Sequence, residues 1–87
     1  SRLMPWIPEE HMAEVHIIRQ DVARALAAHE ILPDNPGLLE ELRQQIERRD
    51  RAMRSLARDD NASVRHIAAM FRCSKTAVRT ALAGESE

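Results

Sequence analysis

Lys75, Thr76, Arg79 and Thr80 stand near the end of this 87-residue chain at a spacing that a helix gathers onto one flank. Lysine and arginine donate hydrogen bonds to guanine O6 and N7, and threonine either hydrogen-bonds a base edge or touches a thymine methyl. Those are the chemistries of the major groove of a nucleic-acid duplex. Ser63, Arg65, Arg72 and Ser74 surround the quartet. They carry hydroxyls and guanidinium groups at helix starts and at a turn, where backbone N–H groups also meet phosphate oxygens. Arg54 and Arg58 are further phosphate candidates on the preceding segment.

The remaining polar residues offer no competing chemistry. No Ser/His/Asp set, glycine-rich phosphate loop or paired-carboxylate site can be assembled, so the chain is not expected to be an enzyme or to hold a cofactor. His11 and His16 are five residues apart and face different sides of a helix, and one cysteine with four scattered histidines matches no zinc spacing. Solvated surface is expected at both histidines. Cys73 is expected to be buried and inert, and His66 to face solvent or phosphate.

The elements that must carry the quartet follow from local signals. Ser63 is a good cap for a short helix over 64–71, Arg72 and Cys73 turn, and Ser74 caps a last helix over 75–83. Gly84 stands where a C-terminal cap favours a left-handed residue. If Ile67, Phe71, Val78 and Leu82 are buried, with small Ala68 where the two helices meet, the quartet must point outward.

The run Ser63-Val64-Arg65-His66-Ile67-Ala68-Ala69-Met70-Phe71-Arg72-Cys73-Ser74-Lys75-Thr76-Ala77-Val78-Arg79-Thr80-Ala81-Leu82 resembles the helix-turn-helix of the homeodomain-like and resolvase-type superfamily. In that superfamily a helix with Ile-Ala and a bulky apolar residue leads through a three-residue turn to a helix beginning at Ser. The resemblance implies a trihelical unit whose first helix is residues 48–58, with double-stranded DNA as partner. Arg72 departs from the pattern, which has Gly there because a left-handed backbone costs a residue with a Cβ about 1 kcal/mol.

Upstream, Pro8-Glu9-Glu10 starts a helix running to about Leu32. Val15, Ile18, Val22, Ala25, His29 and Leu32 recur on it at steps of three and four. Pro33-Asp34-Asn35-Pro36-Gly37 makes a tight connection, Asn35 caps a second helix, and Leu39, Leu42, Ile46, Met53 and Leu56 repeat the rhythm to about Arg58, with Arg49 interrupting it. The result is a long antiparallel hairpin. Val15, Ile18, Val22, Ala25 and His29 are expected to form a homodimer interface, in a four-helix arrangement across a two-fold axis. Trp6, with Leu3, Met4 and Ile7, forms an apolar arm that clips onto the core or docks on a protein partner.

Composition supports an all-α fold of about four helices: aromatic content is 2%, Tyr is absent and Gly numbers only 2. The formal charge of −1 conceals a division. Residues 1–47, the arm and acidic hairpin, hold four arginines against nine carboxylates. Residues 48–84 hold eight arginines and Lys75 against three aspartates. The second long helix is shared between this basic module, residues 48–87, and the hairpin. Nothing marks a membrane span or targeting segment, and a reducing cytoplasm suits the lone cysteine. Ser1-Arg2-Leu3 precede Met4, which leaves open whether the chain is whole or a piece of a longer protein.

These features lead us to expect a dimeric DNA-binding transcriptional regulator of prokaryotic or phage type, a repressor by operator occupancy. Two other designs share them: the DNA-recognition part of a recombinase, packaging or segregation machine, and a protein-binding adaptor of the transcription machinery. Salt-sensitive binding to duplex DNA separates the adaptor from the others.

Overall fold

The computed structural model describes residues 6–84. It is all-α, with helices α1 (Glu9–Ile31), α2 (Pro36–Asp59), α3 (Val64–Phe71) and α4 (Lys75–Ala83), and no strand occurs among the described residues. Each start has a local cause. At α1 the Pro8 carbonyl accepts from the His11 and Met12 amides at 3.0 and 3.1 Å. No side chain caps it, but Glu9 and Glu10 place negative charge at the positive end of the dipole. At α2 the Asn35 side chain accepts from the Gly37 and Leu38 amides at 2.9 and 3.1 Å, with Pro36 in the first turn.

The connection between the long helices is short, so α1 and α2 lie antiparallel. Arg48 Nη1 reaches from α2 to Asp21 Oδ2 on α1 at 2.8 Å, and Asp21 also receives Arg24 at 3.0 Å. The Arg48 hydrogen bond, helped by Arg24, holds the Asp21 carboxyl below its usual range against a smaller opposing effect of desolvation.

One hydrophobic cluster joins both parts of the chain. Val15 and Ile18 of α1, Met53 and Leu56 of α2, Ala62 of the connector, Ile67, Ala68, Met70 and Phe71 of α3, and Val78 and Ala81 of α4 are buried together. Ile18, Met53, Ile67 and Val78 are its most enclosed large side chains. Leu82 is half-buried against the cluster. The short helices therefore pack on the half of the hairpin nearest its open end. Toward the α1–α2 turn the hairpin is only two helices thick, and there Ala25 and Leu42 are buried while Leu26, Ile31, Leu32 and Leu39 are exposed.

This packing corrects the expected dimer surface. Val15, Ile18 and Ala25 are buried within the chain itself, and Val22 and His29 are half-buried beside them. The stripe faces α2 and the short helices because the antiparallel hairpin must first cover its own seam. Gly84 also differs from expectation: its φ is −75°, so the end of α4 needs no left-handed residue. In the N-terminal arm, Ile7 packs against the cluster and Trp6 is 81% exposed; Leu3 and Met4 lie outside the described residues. No helix is long and apolar enough to cross a membrane among the described residues.

Candidate nucleic-acid interface

α3 and α4 are built by the serines that precede them. The Ser63 hydroxyl oxygen accepts from the His66 amide at 3.1 Å, and that of Ser74 from the Ala77 amide at 3.0 Å. Each hydroxyl keeps its own hydrogen for donation outward, and both serines are exposed. Between the helices, Arg72 adopts φ 56°, ψ 48°, the left-handed conformation. The Ala68 carbonyl closes the turn by accepting from the Arg72 amide and from that of Cys73 at 3.1 Å. A residue with a Cβ thus occupies a backbone state that glycine adopts freely.

Beneath the surface, Ile67, Phe71 and Val78 are buried, as are Met70 and Ala81. Val78 and Ala81 anchor one side of α4, so Lys75, Thr76, Arg79 and Thr80 lie on its opposite side and all four are exposed. At 3.6 residues per turn they span an arc of about 140°. Arg65 on the first turn of α3 and Arg72 in the turn are exposed as well.

The electrostatics sharpen this picture. Residues 61–84 contain Arg65, Arg72, Lys75 and Arg79 and no carboxylate. None of those four cations forms an ion pair with a described residue. The arginines of the long helices are spent internally: Arg24 on Asp21, Arg43 on Glu40, Arg48 on Asp21, Arg49 on Asp50, Arg51 on Glu47 and Arg58 on Asp59. Arg19 donates to the Met70 carbonyl at 3.1 Å. The acidic character of the hairpin is thus partly neutralised in place, and exposed cations without a carboxylate partner among the described residues sit on α3, the turn and α4.

Two phosphate candidates are placed differently from the rest. Arg54 is largely buried, with 17% of its side chain exposed; Nη1 donates to the Ala81 carbonyl at 3.0 Å, and Nη2 lies 3.7 Å from Glu47. It is an internal tie, because α4 folds back over its guanidinium. Arg58 is exposed, and its Nε donates to Asp59 at 3.2 Å.

Other side chains depart from simple surface roles. His11 Nδ1 lies 2.7 Å from Asp60 Oδ2, linking the start of α1 to the α2–α3 connector. The hydrogen bond to Asp60 raises the His11 pKa, and the carboxylates of Asp60, Glu10 and Glu14 add to the effect against desolvation. Next to Asp60, Asn61 also adopts positive φ, a conformation that asparagine tolerates. His66 has its Nδ1 buried without a hydrogen-bond partner, so it is not simply a solvent-facing histidine. Cys73 is half-buried, and burial pushes its thiol up, which disfavours the nucleophilic thiolate.

The sequence carried no signal for the His11–Asp60 and Arg19–Met70 contacts, which join residues 49 and 51 positions apart. Among the described residues no group of three His, Cys, Asp or Glu side chains is placed to hold a metal ion. No family model, curated protein or solved structure matches the chain.

Proposed function

We propose that this chain is a sequence-specific double-stranded DNA-binding regulator, a repressor that occupies its operator and reads the major groove with α4. One observation carries the proposal: Arg65, Arg72, Lys75 and Arg79 are exposed together with no intramolecular ion-pair partner among the described residues. Cations held on rigid helices without carboxylate partners can accept phosphate or base contacts without first breaking an ion pair. Lys75 and Arg79 are the proposed guanine donors, with Thr76 and Thr80 beside them. Arg65, Arg72, Ser63 and Ser74 take the phosphates.

A second copy is the proposed partner. The distal hairpin exposes Leu26, Ile31, Leu32 and Leu39 in a layer too thin to cover them. Its rim carries the pairs Arg24–Asp21 and Arg43–Glu40 and the carboxylate of Glu30, so an isologous pairing can exchange these partners across the two-fold axis. Two readers across a two-fold axis favour an inverted repeat with half-sites roughly 34 Å apart.

The test is fluorescence anisotropy on a labelled 20-base-pair duplex enriched from a randomised library, beside the unselected library, at several salt concentrations. Binding should weaken with salt by a slope of about 0.9 per phosphate neutralised. Arg79→Ala should cost about 1–3 kcal/mol on the enriched duplex and relax sequence preference. Equal loss on both duplexes would make Arg79 a phosphate contact, and salt-insensitive binding, or none, would overturn the proposal.

A further inference from the structure

Arg19 and Arg54 share a contact that Arg24, Arg43, Arg48, Arg49 and Arg51 are not seen to make. Each reaches from a long helix to a backbone carbonyl in the last turn of a short one. Arg19 Nη1 donates to Met70 O near the end of α3 at 3.1 Å, and Arg54 Nη1 donates to Ala81 O near the end of α4 at 3.0 Å. Carbonyls in a final helical turn lack the i+4 amide that would pair them inside the helix, and they form the negative end of its dipole. The Ala81 carbonyl also accepts from the Gly84 amide, so there the guanidinium takes a second lone pair, and in both helices it puts positive charge at the negative end of the dipole through a charge-assisted hydrogen bond.

The second nitrogen of each guanidinium is tethered to the helix it came from: Arg19 Nη2 lies 3.0 Å from His16 Nδ1, and Arg54 Nη2 lies 3.7 Å from Glu47. Each is therefore a strut held at both ends. Met70 lies two residues before the left-handed Arg72, so the α3 strut sits under the turn that presents the Arg72 side chain. Ala81 lies one residue beyond Thr80, so the α4 strut sits at the end of the exposed quartet. Both short helices are only eight and nine residues long, below the length at which a helix is stable alone, and their orientation must come from tertiary contacts.

We infer that Arg19 and Arg54 are positioning residues through which the acidic hairpin sets the angle at which the α3–turn–α4 surface meets DNA. The inference rests on the proposed DNA-binding function, but it assigns the hairpin a part in recognition beyond self-association. It also separates Arg54 from the phosphate contacts: its guanidinium acts through α4 and never touches the duplex.

The test uses the full chain with Arg54→Met, which keeps an apolar stem without donors, Arg54→Lys, which restores one donor, and Arg19→Met as an independent strut. Two readouts are taken well below each variant's unfolding temperature. The first is amide hydrogen exchange without DNA. In Arg54→Met the α4 amides should exchange about tenfold faster, the factor for a lost charge-assisted hydrogen bond, while those of the distal hairpin keep their wild-type rates and Arg54→Lys lies between. Arg19→Met should move the α3 amides in the same way. Unchanged rates in the short helices, or an equal rise over the whole chain, would overturn the inference.

The second readout is anisotropy on the enriched duplex and the unselected library. Arg54→Met should bind the enriched duplex about tenfold more weakly and the library nearly as wild type, with an unchanged salt slope. A slope reduced by about 0.9 would identify Arg54 as a phosphate contact and overturn the inference. If the wild-type chain binds neither duplex, the proposed function falls, while the exchange measurement still decides whether the struts exist.

Discussion

Replacing Arg72 by glycine should make the protein more stable and a poorer ligand for DNA at once. Arg72 holds φ 56°, ψ 48°, and a residue with a Cβ in that region sits about 1–2 kcal/mol above its preferred conformations. Glycine removes this cost but has more freedom to lose on folding, an opposing effect of about 0.5–1 kcal/mol. The balance lies between about 0 and 1.5 kcal/mol, centred near a gain of about 0.75 kcal/mol, which in a domain of this size raises Tm by about 3–6 °C. The side chain is exposed and forms no ion pair with a described residue, so no internal contact offsets the gain. On DNA, the lost phosphate contact should lower the salt slope by about 0.9. Arg72→Ala separates the two effects, since it keeps the strained backbone and loses only the charge: its Tm should match wild type and its salt slope should match Arg72→Gly. Thermal unfolding by circular dichroism and anisotropy across salt concentrations measure both quantities. A Tm that falls in Arg72→Gly would refute the strain argument. A wild-type salt slope in both variants would refute the phosphate contact.

Two further outcomes follow from the packing. Because the His11 pKa is raised in the folded chain, the His11–Asp60 pair contributes stability that is fully present below pH 6.5, the unfolded value, and is lost as pH rises through the folded value. Wild type should therefore lose Tm over that interval relative to His11→Gln, and parallel pH profiles would show that the pair does not couple to folding. If the proposed pairing is right, wild type should run as a dimer in sedimentation velocity and Leu39→Glu, alone or with Leu26→Glu, should yield a 9.9 kDa monomer without loss of helix content; a monomeric wild type, or a dimer that survives both substitutions, would refute the pairing.

Much of the architecture is legible because helix ends are decided within a few residues. Asn35, Ser63 and Ser74 cap the helices they were expected to cap, and α3 and α4 have the anticipated limits. The left-handed backbone at Arg72 has no such local signal; it is expected only through the resemblance, whose pattern has glycine there. The outward face of α4 was accessible because Val78 and the residues around it leave only one polar side. α1 was harder. It has large apolar residues on several flanks, with Ile17 50% and Leu26 43% exposed while Val15 and Ile18 are buried. A three-and-four rhythm then identifies a helix without saying which neighbour its stripe meets, and Val15, Ile18 and Ala25 of the stripe assigned to a second copy are buried within the chain itself.

Element type, limits and caps belong to the sequence alone, since they depend on backbone propensities and hydrogen bonds spanning four residues or fewer. The long-range part of the charge pairing belongs to the tertiary structure. Most arginine–carboxylate pairs lie within four residues along the chain. Arg48–Asp21 and the helix-end carbonyl contacts of Arg54 and Arg19 need groups brought near by chain reversal, at separations of 27, 27 and 51 residues. Chain reversal gave Arg19, Arg48 and Arg54 partners far along the chain, while the four cations of the short helices and their turn face outward. The charge sequence already separates the two sets in part, since residues 61–84 hold no carboxylate, but only distance in space shows that Arg19 and Arg54 end on backbone carbonyls.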